Sequence, residues 1–238
     1  MRAHLNERLT SLRSAALVCV CVVAFGLGLQ GCASNQAAAF DAARLLLSRG
    51  DQAALTQQPL NPKYRYLRVT FNGHPVLLVL GYVDQLDSAS PVEVWYSGSG
   101  EVLRLRHGRL AGLVGTPAEW RDVRWPQGVP AWQAALQQTP PPYERVLDQM
   151  PGYRLGAAQS LQIEALATPR DTAWAGNVPA DLRWFRESVV SGAGAYPPAR
   201  YAVKLGPQGA QPVYGEQCIA ADLCITWQTW AVDQGLRS

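Results

Sequence analysis

The stretch YRYLRVTFNGHPVLLVLGYV, residues 64–83, decides how the rest of the chain is read. From Tyr64 to Phe71 the side chains alternate. Tyr64, Tyr66, Arg68 and Thr70 share one face, and Arg65, Leu67, Val69 and Phe71 the other. A period of two belongs to a β-strand. Asn72-Gly73 follows, a dipeptide that accepts positive φ at both central positions of a two-residue hairpin turn. After His74-Pro75, residues Val76 to Val83 form a nearly continuous apolar run, which suits a strand buried on both faces. Two strands and a tight turn make an antiparallel hairpin.

The same pattern continues toward the C-terminus. A polar loop from Asp84 to Pro91 leads to Val92–Ser97, Gly98-Ser99-Gly100 turns the chain into Glu101–Arg106, and His107-Gly108 turns it into Arg109–Val114. This is a meander of about five short strands. Trp120 to Trp125 reads as a further strand ended by Pro126, and Pro130 to Gln138 as one or two helical turns opened by proline. Thr139-Pro140-Pro141-Pro142 is a stiff connector and the best place to divide the domain, residues 63–238, into two halves. Beyond it, Tyr143–Gln149, Tyr153–Leu155, Ser160–Ala167, Leu182–Val190, Arg200–Leu205, Gln211–Glu216 and Leu223–Val232 read as strands, with a loop from Pro169 to Ala180 around Trp174. The expected fold is mostly β: an antiparallel meander folded into a sandwich or barrel-like body, with a short N-terminal helix. That helix is placed at Gln36–Arg49, where Phe40, Ala43, Leu46 and Leu47 recur at helical spacing, with Gly50 as its C-cap and a tether running to Pro62.

The N-terminus carries an address. Arg2, Arg8 and Arg13 precede an uncharged segment from Ser14 to Gly31, the pattern of a secretory signal peptide over residues 1–31. The apolar run is short against the roughly 20 residues of a membrane span. Its end, Leu29-Gln30-Gly31-Cys32, resembles the lipobox of bacterial lipoproteins, with Gln30 where a small residue is usual. The resemblance implies that Cys32 takes a diacylglyceryl group, that the preceding peptide is removed, and that the new amine is acylated. Residues 32–62 then form a lipidated N-terminus, helix and tether. Two or three acyl chains, at about 0.8 kcal/mol per buried methylene, hold a protein firmly to a bilayer. Ala33 stands where an Asp would mark inner-membrane retention, so the expected location is the outer membrane, lipid-anchored, on the periplasmic face.

The formal charge of +3 includes Arg2, Arg8, Arg13 and Glu7, all lost with the signal, so the mature chain is close to neutral. A nucleic-acid groove would need a clustered basic face. Of the five cysteines, Cys19 and Cys21 lie in the signal and Cys32 is the anchor, which leaves Cys218 and Cys224 as a disulfide pair in an oxidising compartment. A metal site would need further ligands, and the mature chain offers only His74 and His107, distant in sequence. No cofactor is expected.

The lipobox, residues 64–83, the Trp95–Arg106 strand pair, the turn His107-Gly108-Arg109-Leu110, and the Tyr143 strand with a closing Trp-rich strand resemble the YjbF/GfcB lipoproteins, which are encoded with exopolysaccharide and group 4 capsule export machinery. The resemblance implies an outer-membrane lipoprotein with an antiparallel β fold and no established catalytic residues.

Chemistry weighs the same way. A Ser-His-acid triad would need His74 or His107; His74 sits beside a hairpin turn and before Pro75, and His107 is itself a turn residue, where polar side chains are usually just solvated. No Gly-x-Ser-x-Gly elbow, phosphate loop or His-Glu-x-x-His helix is present. Glu93 and Glu101, across a hairpin, are a candidate carboxylate pair for glycoside cleavage, though two exposed Glu on neighbouring strands are usually a solvated face; the enzyme alternative is a polysaccharide hydrolase or lyase. For binding, Trp95, Tyr96, Trp120, Trp125, Trp174 and Trp184 are the candidate sugar contacts, though most tryptophans in a small β protein serve the core. The expected function is non-catalytic assistance to exopolysaccharide or capsule production or export. Its expected partners are the outer-membrane bilayer, an export protein (an outer-membrane β-barrel or a periplasmic protein) met at an exposed strand edge, and the polysaccharide itself. A periplasmic lipid or lipoprotein carrier is the remaining alternative.

Overall fold

The structure is a computed structural model that describes residues 60–85, 91–194, 196–207 and 209–231. The strands in chain order are β1 (Tyr66–Phe71), β2 (His74–Asp84), β3 (Val92–Ser97), β4 (Val102–Arg106), β5 (Arg109–Val114), β6 (Glu119–Arg124), β7 (Tyr143–Met150), β8 (Arg154–Leu166), β9 (Leu182–Gly192), β10 (Ala199–Gly206), β11 (Gly209–Ala220) and β12 (Leu223–Trp230). Each pairs antiparallel with its neighbours in sequence, and β1 pairs with β12, so the meander closes into a twelve-stranded barrel. Of the two architectures left open by the sequence, the barrel is the one formed. Helix α1 (Trp132–Gln137) lies between β6 and β7 and is the one helix among the described residues. The N-terminal helix expected at Gln36–Arg49 lies outside them, as do Cys32 and the signal segment.

Residues 64–83 form as their pattern requires. Leu67 and Val69 join the interior cluster, while Tyr66 packs on the outer wall. Asn72 and Gly73 turn at φ 48° and 86°, and His107 and Gly108 repeat the device at 49° and 72°. Strand β2 is apolar on both faces because both are covered: Leu78 lies inside, while Leu77 and Val79 lie outside beneath Tyr66, Trp230, Leu60 and Tyr64. The segments Tyr153–Leu155 and Ser160–Ala167, expected as separate strands, are one long strand, β8. The Pro-rich connector 139–142 links α1 to β7, with six strands before it and six after, all in the same sheet.

Asn72 ties the closing seam. Its Nδ2 donates to Asp222 O at 2.6 Å and its Oδ1 accepts from Cys224 N at 2.9 Å. Opposite it, Cys218 and Cys224 face each other in the β11–β12 ladder and are joined by the expected disulfide. The barrel interior is filled by side chains. Trp95, Trp120, Phe185, Tyr201 and Trp227 are fully buried there, and α1 sends Trp132 in from one end. Gly215 leaves room on β11 for the Trp227 ring, which a Cβ at that position would strike.

Candidate functional site

Within the packed interior lies a charged cluster. Glu187 on β9 is 3% exposed and accepts from Arg109 Nε at 3.1 Å, from the Tyr143 hydroxyl, and from the Tyr201 hydroxyl at 3.4 Å. Arg145 Nη1 stands 3.5 Å from Glu187 and gives its other donors to Gln159 Oε1 at 2.6 and 3.0 Å. Two guanidinium ions thus share one carboxylate, and the surplus positive charge rests on aromatic faces. Arg109 sits 3.8 Å from the Trp132 ring centroid and Arg145 4.8 Å from that of Trp120. Burial, reinforced by the charge of Glu187, pushes the hydroxyls of Tyr143 and Tyr201 far above the usual tyrosine range.

A pH dependence follows from these two tyrosines. Above about pH 10 an unfolded chain releases both protons and the folded chain keeps them. Stability is therefore full below that pH and falls as pH rises, by about 1.4 kcal/mol per pH unit for each tyrosine. Urea midpoints measured from pH 8 to 11 should drop steeply above 10, and Tyr143→Phe should make that drop shallower. A flat profile would refute the burial assignment.

Outside the barrel, the segment after β8 folds back along the wall as a strap. Its Asp171 Oδ1 receives Arg200 Nη1 at 2.7 Å, its Trp174 meets Tyr214 with ring centroids 5.5 Å apart, and its Ala175 N donates to Gln228 Oε1 at 2.9 Å. Two grooves border this strap. The rim groove, about 390 Å³, is lined by Tyr64, Trp174, Asp181, Lys204 and Trp230 among others. The wall groove, about 730 Å³, runs beside Pro169, Asp171, Pro197 and Pro198, and the disulfide also lines it.

Register explains the floor of the wall groove. Thr70 pairs with Thr226, Thr226 with Glu216, Glu216 with Arg200, and Arg200 with Arg186, so one outward residue from each of β1, β12, β11, β10 and β9 falls in a single row. The Thr70 and Thr226 hydroxyls bond at 2.7 Å. Glu216 accepts from Arg200 Nε and, at 2.7 Å, from the Tyr214 hydroxyl. Arg186 reaches back to Glu164 at 2.6 Å. The row therefore offers hydroxyls, carboxylates and guanidinium donors with compensated charge, on a rigid sheet.

The sugar contacts expected from sequence are distributed differently. Trp95, Trp120, Trp125 and Trp184 are all below a tenth exposed and present no flat face to solvent. Trp95 and Trp120 fill the interior, and Trp184 lies under Tyr214 on the outer wall. A large ring gains most from full burial, so the core takes it first. Tyr96 is half-buried with Tyr82, and Trp174 is half-buried in the strap. Glu93 and Glu101 do not meet. Glu93 stands opposite Leu105, and Glu101 beside the turn that follows Tyr96, so about four residues of strand, roughly 13 Å, separate them. Glu93 pairs with Arg65 at 2.6 Å and Glu101 bonds Ser97 and Ser99. His74, the exposed first residue of β2, and His107, an exposed turn residue between β4 and β5, lie on separate hairpins. Closure of the barrel pairs β1 with β12, so the strand-edge docking expected from sequence has no free edge among the described strands. The wall groove has no local signal in the sequence, because its row joins β1 to strands more than a hundred residues away.

Among known proteins, a solved structure of the hypothetical lipoprotein YmcC from Escherichia coli (K12) shares the fold, with a TM-score of 0.56 and 15% identity over 81% of this chain and 94% of that one. The curated proteins contain no match to the chain. The profile of the family described as group 4 capsule polysaccharide lipoprotein gfcB, YjbF, matches residues 40–197. This span runs from ahead of the barrel to the side of the wall groove, and the chain accordingly belongs to the YjbF family of group 4 capsule polysaccharide lipoproteins.

Proposed function

We propose that this lipoprotein is a non-catalytic accessory of exopolysaccharide or capsule production at the outer membrane, and that it holds the polymer in the wall groove. The observation that carries the reading is the row Thr70–Thr226–Glu216–Arg200–Arg186 in the open groove. A polysaccharide displays alternating hydroxyl donors and acceptors, and such a row meets them with both kinds of group. Strands fix its members in place, which lowers the ordering cost of binding. Cys32 would supply the lipid anchor, and an export protein would be the partner of the barrel. The interior is taken up by aromatic rings and the Glu187 cluster, so a lipid-carrier role finds no support there.

Deleting the gene should lower secreted polysaccharide and leave cytoplasmic sugar-nucleotide levels intact. The wild-type gene should restore secretion, whereas Thr226→Trp, which fills the groove, should not, although its protein reaches the membrane at the normal level. Full restoration by Thr226→Trp would sink the groove assignment. Shortening of the native polymer by the purified lipoprotein would replace the accessory role with an enzyme. A docking role has one observation of its own: Tyr153 and Leu155, at the β7–β8 turn, are 79% and 68% exposed. If Tyr153→Ser lowers secretion while polymer binding persists, a protein partner meets that turn.

A further inference from the structure

Arg200 and Arg186 stand directly opposite each other on β10 and β9, both facing outward into the wall groove. Like charges in opposed positions of an antiparallel pair are unfavourable. The carboxylates that offset them lie to either side. Glu216 and Asp171 hold Arg200, and Glu164 holds Arg186. Arg200 is firmly committed: its side chain is only 24% exposed, and Glu216, the carboxylate it shares the sheet with, is 12% exposed. Arg186 is not. It and Glu164 are 46% and 43% exposed, an ion pair that water already weakens and that a competing anion displaces at small cost.

We infer that the Arg186 end of the row binds a carboxylate carried by the polymer, a uronic acid or an acidic ketal, so that the groove reads an acidic sugar rather than a neutral one. This rests on the polymer-binding role of the wall groove. A ligand carboxylate that displaces Glu164 takes over the planar, paired hydrogen bonds that Arg186 offers best, while Arg200 keeps Glu216 and Asp171. The other end, where the half-buried Thr226 is bonded to the buried Thr70, carries no charge, and Thr226 suits a neutral sugar hydroxyl. From Thr70 to Arg186 the row crosses four strand spacings, about 19 Å, enough for roughly three or four sugar rings laid across the strands. The ligand therefore has a direction as well as a length, with its acidic unit over β9 and β10.

The test uses the full-length lipoprotein in detergent and size-graded fragments of the polysaccharide made by the strain that carries the gene. Binding is measured by calorimetry before and after chemical reduction of the fragments' carboxyl groups to alcohols. Intact fragments should bind at least tenfold more tightly than reduced ones, with affinity rising up to about four sugars and then levelling off. Arg186→Gln should weaken intact fragments at least tenfold and reduced ones much less, so that the two converge. Glu164→Gln should act oppositely and tighten intact fragments, a gain that a damaged fold cannot produce. Equal binding of intact and reduced fragments overturns the carboxylate site while the groove reading stands. Equal loss of both on Arg186→Gln, or a polymer free of carboxyl groups, overturns it too. If dephosphorylation and not carboxyl reduction removes the difference, the anion is a phosphate and the inference is wrong as stated. No binding of either fragment overturns the inference together with the groove reading.

Discussion

Glu187→Ala should lower the stability of the barrel by about 3–5 kcal/mol, because it leaves two buried arginines without their shared carboxylate. Arg109 and Arg145 are 1% and 3% exposed, so water does not replace the lost partner. The hydroxyls of Tyr143 and Tyr201 lose their acceptor in the same step. Breaking a buried pair from one side costs far more than the pair contributes when intact, since taking three charged groups out of water is itself expensive. The comparison that isolates this is Glu187→Leu combined with Arg109→Met, which removes one charge of each sign. Urea denaturation followed by tryptophan fluorescence should show a much lower midpoint for Glu187→Ala than for the double variant. Equal midpoints would mean that the cluster is solvated in solution.

Trp120→Ala should cost a similar amount, about 3–5 kcal/mol, for a different reason. The ring is 1% exposed in the interior. Its Nε1 donates to Ile219 O at 3.2 Å, bridging β6 to the distant strand β11 across the barrel. Its face supports Arg145. Truncation opens a cavity of most of an indole, removes that bridge, and leaves Arg145 without its aromatic face. Trp120→Phe keeps most of the volume and should recover more than half of the loss. The control is Trp174→Ala in the half-buried strap, which should shift the midpoint much less. Should the two alanine variants unfold alike, the interior packing around Trp120 would be wrong.

Both effects concern residues that the linear sequence marks only indirectly. Tyr143-Glu144-Arg145-Val146-Leu147 places Arg145 in phase with two inward residues, and Phe185-Arg186-Glu187-Ser188-Val189 does the same for Glu187. Alternation alone thus puts opposite charges on the inward face of two strands. What it leaves open is that they meet, since β7 and β9 are not neighbours in the sheet and touch only through the interior. The tryptophans show the same limit from the other side. Their number suggested sugar platforms, yet most of their area is worth more inside the barrel than on its wall.

The sequence by itself determined most of the strands and turns and their order, though not that Tyr153–Leu155 and Ser160–Ala167 run together as β8. Alternation, Asn72-Gly73, His107-Gly108 and the apolar run of β2 are local signals with local causes: a period of two, positive φ, and coverage of both faces. It also determined the pairing of Cys218 with Cys224, because a six-residue separation beside a hairpin brings them together without help from the rest of the chain. Only the tertiary structure decided that the meander closes. The β1–β12 pairing joins residues more than 150 positions apart, and its register depends on which faces the other ten strands have already buried. That one register also decided the wall groove, by bringing Thr70 beside Thr226 and so into line with Glu216, Arg200 and Arg186, a row that no local signal specifies.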